Sequence, residues 1–322
     1  DEFTRILPML HKNNKFAHRF LLKSFLTTAM ISSFSASVQA DVVVSIRPLG
    51  FIAAAIADGV TPTEVLLPDG ASPHDYALKP SDLKKITSAD LMVWVGPDME
   101  VFLDKPLNRL TDNHKLALTE TKEIKSLLLK DEGDNVHKHE ENHEHHSHGD
   151  YNMHIWLSPE IALSSAKQIH ERLITLYPDK KELLDVNLGK FSEQLKQTDK
   201  NLVNILSPVK NKGYFVFHDA YGYFEKHYNL KPLGHFTINP EIQPGAQKLH
   251  QIRTQLVEQK ATCIFAEPQF RPTVIETVAK GTGVKMGVLD PLGSGIALTQ
   301  ESYIKFLTQL ANQYASCLNE TQ

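Results

Sequence analysis

The chain has 322 residues, 41% hydrophobic and 22% charged, with a formal net charge of −4. That length makes roughly two or three domains, and the composition is that of a globular protein. A small acidic excess, with no basic stripe interleaved with aromatic residues, sets nucleic acid aside as a partner.

Residues 1–40 predict a secretory leader. Lys12, Lys15, Arg19 and Lys23 form a basic start, an apolar stretch follows over 24–34, and Val38 and Ala40 are small residues at the −3 and −1 positions of a cleavage site. The apolar stretch is too short for a bilayer core of ~30 Å. Cleavage after Ala40 would leave a soluble exported protein starting at Asp41, with no cysteine there to take a lipid anchor. The residues before Lys12 fit no part of the pattern.

From Asp41 onward, short apolar runs alternate with helical patterns. Strands are predicted at 41–46, 63–68, 91–96 and 115–119, with helices near 48–58, 80–89 and 101–110. After the fourth strand comes an acidic, histidine-rich tract within 131–150, where His137, His139, His143, His145, His146 and His148 stand among Glu140, Glu141 and Glu144. It contains no large apolar residue to offset chain entropy, so disorder is expected, with weak, exchanging metal binding by its imidazoles. A helix then runs from Ser158, an N-cap with Pro159 at the first helical position, to about 176. These elements make an N-terminal lobe, 41–177.

Over 178–209, Leu184, Leu188, Phe191, Leu195, Leu202 and Ile205 recur at helical steps, predicting one helix of ~27 residues or ~40 Å. Gly189 costs that helix about 1 kcal/mol without breaking it. A helix this long is a stiff strut between lobes and implies a cleft that opens only slightly. The C-terminal lobe, 210–322, repeats the first: strands at 213–218, 231–236, 263–268 and 283–290, helices near 220–228, 244–259, 271–280 and 301–318. The fold class expected is therefore α/β, two lobes each with a mostly parallel four-stranded sheet flanked by helices, joined by one long rigid helix. Two cysteines occur, Cys263 and Cys317. In an exported chain such a pair predicts a disulfide pinning the last helix to a strand, the alternative being a share in a Cys/His metal site.

Ligands of open α/β sheets gather at the carboxyl ends of strands. His74 follows the second strand, His218 ends the first strand of the second lobe, and His154 lies just before the helix that Ser158 caps. Three neutral imidazoles suit Zn²⁺, which takes three protein ligands and one more. Asp290, also at a strand end, is a candidate fourth ligand or an acceptor for an imidazole N–H. His170, His227 and His250 read as surface positions, His114 as a turn residue, and His235 as a residue that could line the cleft. Occupancy should fall below about pH 6 as imidazoles protonate.

The stretches "ASPHDYALKPSD", "ADLMVWVGPDME", "YNMHIWLSPEIA", "YFVFHDAYGYFEKHY", "AEPQFRP" and "LDPLGSG" resemble the periplasmic zinc-binding proteins of the ZnuA type, solute receptors of zinc ABC importers. The resemblance runs through essentially all of the chain after residue 40. It implies two lobes around one long helix, a metal held in the cleft by His74, His154 and His218, a disulfide between Cys263 and Cys317, and an inner-membrane permease as partner of what would be a monomer. Manganese and iron relatives carry a carboxylate where His218 stands and use an aspartate at the position of Asp290. Some zinc members place a glutamate before the first histidine; here Pro73 stands there, which leaves water or Asp290 for the fourth position. The competing readings are an exported zinc buffer or metallochaperone, a manganese or iron receptor, and a zinc-dependent hydrolase. The last has Glu267 as its one candidate base, a residue otherwise read as a polar strand end.

Overall fold

The structure, a computed structural model, describes residues 41–131 and 150–319. The expected leader and the six histidines of the tract lie outside the described residues.

The N-terminal sheet contains β1 (Val42–Val44), β2 (Thr63–Val65), β3 (Leu91–Trp94) and β4 (Lys115–Ala117) in the order β2-β1-β3-β4, with every pair parallel. The C-terminal sheet contains β5 (Tyr214–His218), β6 (Gly234–Thr237), β7 (Cys263–Ala266) and β8 (Lys285–Val288) in the order β6-β5-β7-β8, again parallel. Parallel sheets are covered on both faces, so their central strands are apolar throughout. Thus β1 (VVV), β3 (LMVW) and β7 (CIFA) are buried at every position, whereas the edge strand β8 is largely exposed.

The helices are α1 (Arg47–Ala57), α2 (Pro80–Ser88), α3 (Val101–Leu107), α4 (Lys122–Lys125), α5 (Pro159–Leu176), α6 (Lys181–Leu206), α7 (Gly222–His227), α8 (Ala246–Glu258), α9 (Thr273–Ala279) and α10 (Ser302–Leu318). Ser158 caps α5 as expected, its Oγ accepting from the Ile161 N–H at 3.1 Å with Pro159 at the start. The helix expected over 101–110 stops at Leu107, with Pro106 in its last turn. Regular pairing covers only the centres of the runs read as strands: 63–68 shortens to Thr63–Val65, and 283–290 to Lys285–Val288.

The long helix α6 spans 26 residues and is flanked by 3₁₀ turns at Pro178–Lys180 and Ser207–Val209, so the element fills the whole predicted segment. Its buried side is the expected stripe, Leu184, Phe191, Leu195 and Leu202, with Leu188 and Ile205 half-buried. Gly189 faces open space, and a Cβ there would meet nothing within 4 Å. Asn187 and Thr198 are the polar exceptions on the buried side, and Asn187 joins two helices. Its Nδ2 donates to the carbonyls of Ile56 and Asp58 at 2.9 and 2.8 Å, stitching α6 to the end of α1.

One apolar core runs from β1 through α6 to α10 and so belongs to both lobes. A smaller one lies within the C-terminal lobe, among β5, β7, α8 and α9. The Cys263–Cys317 disulfide ties the first residue of β7 to the last turn of α10, across a Cα–Cα distance of 6.2 Å. Among the described residues no helix is long and apolar enough to cross a membrane.

Candidate metal centre

Three histidines converge where the carboxyl ends of the two sheets face each other. His74 sits in a tight turn bridged by Ser72 and Asp75, with its N–H donating to Ser72 Oγ at 3.2 Å. His154 precedes a short 3₁₀ turn, Ile155–Leu157, that leads into Ser158 and α5. His218 is the last residue of β5. Their Nε2 atoms approach closely, 3.2 Å between His154 and His74 and 3.0 Å between His218 and His154. One ring nitrogen from each of the three lies within 4.8 Å of the others, and His154 and His218 are buried. Among the described residues these three form the group of histidine, cysteine and carboxylate side chains that could hold an ion.

The outward nitrogens decide what the inward ones offer. Asn152 Oδ1 lies 2.8 Å from His154 Nδ1 and also accepts the backbone N–H of His154 at 3.0 Å. An amide oxygen only accepts, so Nδ1 carries the proton and Nε2 carries the lone pair. Glu267 does the same for His218, with its Oε1 and Oε2 at 3.1 and 3.3 Å from Nδ1. Two lone pairs thereby face one small space. Burial, reinforced by the neighbouring His218 and His74 rings, holds the His154 imidazole well below the usual histidine range, so it is neutral at pH 7. A cluster of neutral nitrogen donors at this spacing suits a borderline cation such as Zn²⁺.

The sheet register explains the Glu267 contact. Val216 pairs with Phe265, and continuing that parallel register by two residues places His218 beside Glu267. Glu267 is buried, and its Oε1 also accepts the Tyr221 hydroxyl at 2.8 Å. Burial and the adjacent Glu267 raise the Tyr221 hydroxyl well above the usual phenol range, which keeps it a donor. Glu267 is thus neither an idle strand end nor a free base. It is an acceptor with two donors, one of them a candidate ligand. Sequence reasoning also passed over Asn152; the signal was an Asn two residues before His154, placed to form a local side-chain turn.

Asp290 is placed differently from expectation. Its Oδ1 accepts from Leu292 N at 3.0 Å and Gln269 Nε2 at 2.9 Å, and its Oδ2 accepts from Ser294 N at 2.8 Å. The carboxylate is spent on shaping the loop after β8, and it joins neither the histidine nitrogens nor an imidazole N–H. His170 and His227 are less idle than surface positions would be: they lie 2.7 Å from Asp185 and Asp199, each linking a neighbouring helix to α6. His114 Nδ1 lies 2.7 Å from the Asp90 carbonyl in a turn, His250 is exposed, and His235 Nδ1 stands 3.9 Å from Asp219.

The walls of the site are fixed. Trp156 packs its ring 5.3 Å from that of His154, donates Nε1–H to the Pro291 carbonyl at 2.7 Å, and accepts at its own carbonyl from the Tyr303 hydroxyl at 2.7 Å. A larger cavity of about 830 Å³ lies between β8 and α10, away from the histidines, and its walls hold no cluster of ligating groups.

A model of the family described as the periplasmic component A of the zinc-uptake complex, ZnuA, matches residues 42–317. The high-affinity zinc uptake system protein ZnuA of Yersinia pestis is 60% identical over 322 residues, covering 96% of this chain and 100% of that protein. Among solved structures, a crystal structure of ZnuA is similar at a TM-score of 0.72 and 27% identity, over 87% of this chain and 99% of that one. A zinc-bound deletion mutant of ZnuA gives 0.71 and 26%, over 88% and 99%.

Proposed function

Given that the chain belongs to the ZnuA family of periplasmic zinc-uptake components, we propose that it captures Zn²⁺ between His74, His154 and His218 and passes it to the inner-membrane permease of a zinc ABC importer. The observation that carries the ligand assignment is the convergence of the three ring nitrogens, with two of the outward Nδ1–H groups held by Asn152 and Glu267. The neutral His154 imidazole offers its lone pair without prior proton loss, and proton competition for ligand nitrogens releases the cation. The chain is a receptor rather than an enzyme, as its family is. The leader is removed after Ala40, the mature protein acts in the periplasm as a monomer, and the functional division is into lobes 41–177 and 210–322 about the helix 178–209. The tract bearing His137 to His148 collects zinc weakly beside the cleft.

Calorimetric titration with Zn²⁺ tests this reading. Replacing His74, His154 or His218 by Ala should weaken the tight phase by more than the ~10–100-fold typical of lost outer partners, whereas His250→Ala leaves it unchanged. Deleting 137–148 should lower stoichiometry and spare the tight phase. Retention of that phase in all three single variants, or its loss on the deletion alone, would move the site to the tract. Growth under chelator, rescued by excess zinc, separates uptake from buffering.

A further inference from the structure

The cavity lined by His74, His154 and His218 has three further polar residues in its wall, Ser72, Glu267 and Gln269, and the last is not yet accounted for. Its amide is oriented by its neighbours. Nε2 donates to Asp290 Oδ1 at 2.9 Å and stands 3.4 Å from Ser294 Oγ. A carboxylate only accepts, so turning the amide over would press its carbonyl against Asp290 and is disfavoured. The outcome is a carbonyl, Gln269 Oε1, that is buried and has no hydrogen-bond partner among the described residues. Such an acceptor costs about 1–3 kcal/mol, and buried polar atoms without partners are rare enough to require an explanation. The cavity that Gln269 helps to line is about 10 Å³, room for one water-sized occupant.

We propose that Gln269 completes the metal site: its Oε1 accepts a hydrogen bond from the water that fills the fourth position on the ion, and Asp290 acts by holding the Gln269 amide in that orientation. The proposal rests on the three-histidine reading and deepens it. It gives Asp290 a role two hydrogen bonds beyond the ion-bound water. It also accounts for Pro73: with no side-chain donor before His74, the fourth ligand is solvent, and solvent on a cation is a strong hydrogen-bond donor that needs a fixed acceptor. The site then holds a divalent ion with neutral nitrogens and one positioned water, a donor set that suits Zn²⁺ better than the harder Mn²⁺.

The test is Gln269→Met, close to isosteric and without an acceptor, with Gln269→Ala as a second variant and His218→Ala in parallel. Zn²⁺ affinity is measured by chelator competition, folding by circular dichroism and metal-free Tm, and the coordination sphere by the visible d–d bands of the Co²⁺-loaded protein. The expected result for both Gln269 variants is a Zn²⁺ Kd raised about 10–100-fold, the range for lost outer-sphere partners, with altered Co²⁺ bands and an unchanged metal-free Tm. Zn²⁺ affinity within threefold of the parent, or a loss of affinity with unaltered Co²⁺ bands, overturns the proposal; the second result would mean that Gln269 serves only to support the Asp290 loop. Parental affinity in His218→Ala would instead sink the three-histidine reading, whatever the Gln269 variants do.

Discussion

Replacing Glu267 by Gln removes one charge from the centre while nearly preserving its shape. Glu267 is buried, its side chain 1% exposed, and it accepts from His218 Nδ1 and from the Tyr221 hydroxyl. Both donors reach Oε1, so the carbonyl of Gln stays at the Oε1 position. The new amide N–H₂ then occupies the Oε2 position, 3.3 Å from an imidazole nitrogen that already carries hydrogen. Bonds to charged groups are worth about 1.5–3 kcal/mol against about 0.5–1.5 for neutral ones, so the exchange costs about 1–2 kcal/mol. Most of that loss falls on the ion-bound state, because an imidazole that ligates a cation donates more strongly than a free one. The expected result is a Zn²⁺ Kd raised about 10–30-fold, equivalent to ~1.4–2 kcal/mol. Chelator competition measures the affinity, and long-range ¹⁵N–¹H spectra report the His218 tautomer in the metal-free protein. Adding Tyr221→Phe releases the carbonyl to rotate, and the double variant should lose more than the sum of the singles. Zinc affinity within threefold of the parent in both Glu267→Gln and Glu267→Ala, with the proton still on Nδ1, would refute the claim that Glu267 sets the lone pair on His218.

Two further predictions follow from groups away from the ion. Replacing Cys263 and Cys317 together by Ser opens a loop of sequence separation 54 and should cost about 4 kcal/mol in urea unfolding, while Zn²⁺ affinity stays within a few-fold, because the bridge lies at the β7–α10 end opposite the histidines. Glu225 accepts the Tyr214 hydroxyl in a buried site, and burial pushes its carboxyl from 4.5 to about 8. A raised carboxyl pKa means that the folded state keeps a proton the unfolded chain has lost, so this stabilising share is whole below pH 4.5 and is lost as pH rises through 8. That amounts to roughly 3–4 kcal/mol between pH 5 and 8. Glu225→Gln should therefore gain stability relative to the parent across that interval, and parallel stability–pH curves for the two proteins would refute the assignment.

Much of this architecture was legible because its signals are local. The β-branched run at 42–44 can hardly be anything but a buried strand, Ser158–Pro159 announces a helix start, and the stripe from Leu184 to Leu202 has one face to bury. Two of the three histidines were legible because His74 follows a strand and His218 closes one, and parallel topology brings such ends to one edge; His154 was legible from its place just before the helix start at Ser158. What escaped was anything set by register between strands distant in the chain. Glu267 reaches His218 only because β5 lies beside β7 in one particular register, and a strand-end glutamate carries no mark of its neighbour. Asp290 misled for the complementary reason. A strand-end aspartate followed by "PLGSG" can point into the cleft or turn back to cap its own loop, and the backbone N–H groups of Leu292 and Ser294 decide for the second.

The shared core bears on how the receptor can signal occupancy. Phe51 of α1 packs on Phe306 of α10 at 5.6 Å, and Phe191 of α6 on Tyr303 of α10 at 5.8 Å, so these four fully buried aromatic side chains tie the N-terminal lobe, the long helix and the last helix together. Gly293, at φ +61°, closes the same seam. A Cβ there would lie 2.7 Å from Phe51 and 2.9 Å from Phe306. Arg47 adds a polar clamp, pairing with Asp69 at 2.7 Å and donating to the Ile296 carbonyl at 2.9 Å, while Gly295 N donates to Asp69 at 3.0 Å. A wide opening would expose the four rings, at ~150–250 Å² each and ~25 cal/mol per Å², a cost of about 15 kcal/mol or more. That matches or exceeds the whole stability of an ordinary domain, ~5–15 kcal/mol, and no single ion's preference for one state offsets it. A domain-scale clamp is therefore excluded on energetic grounds.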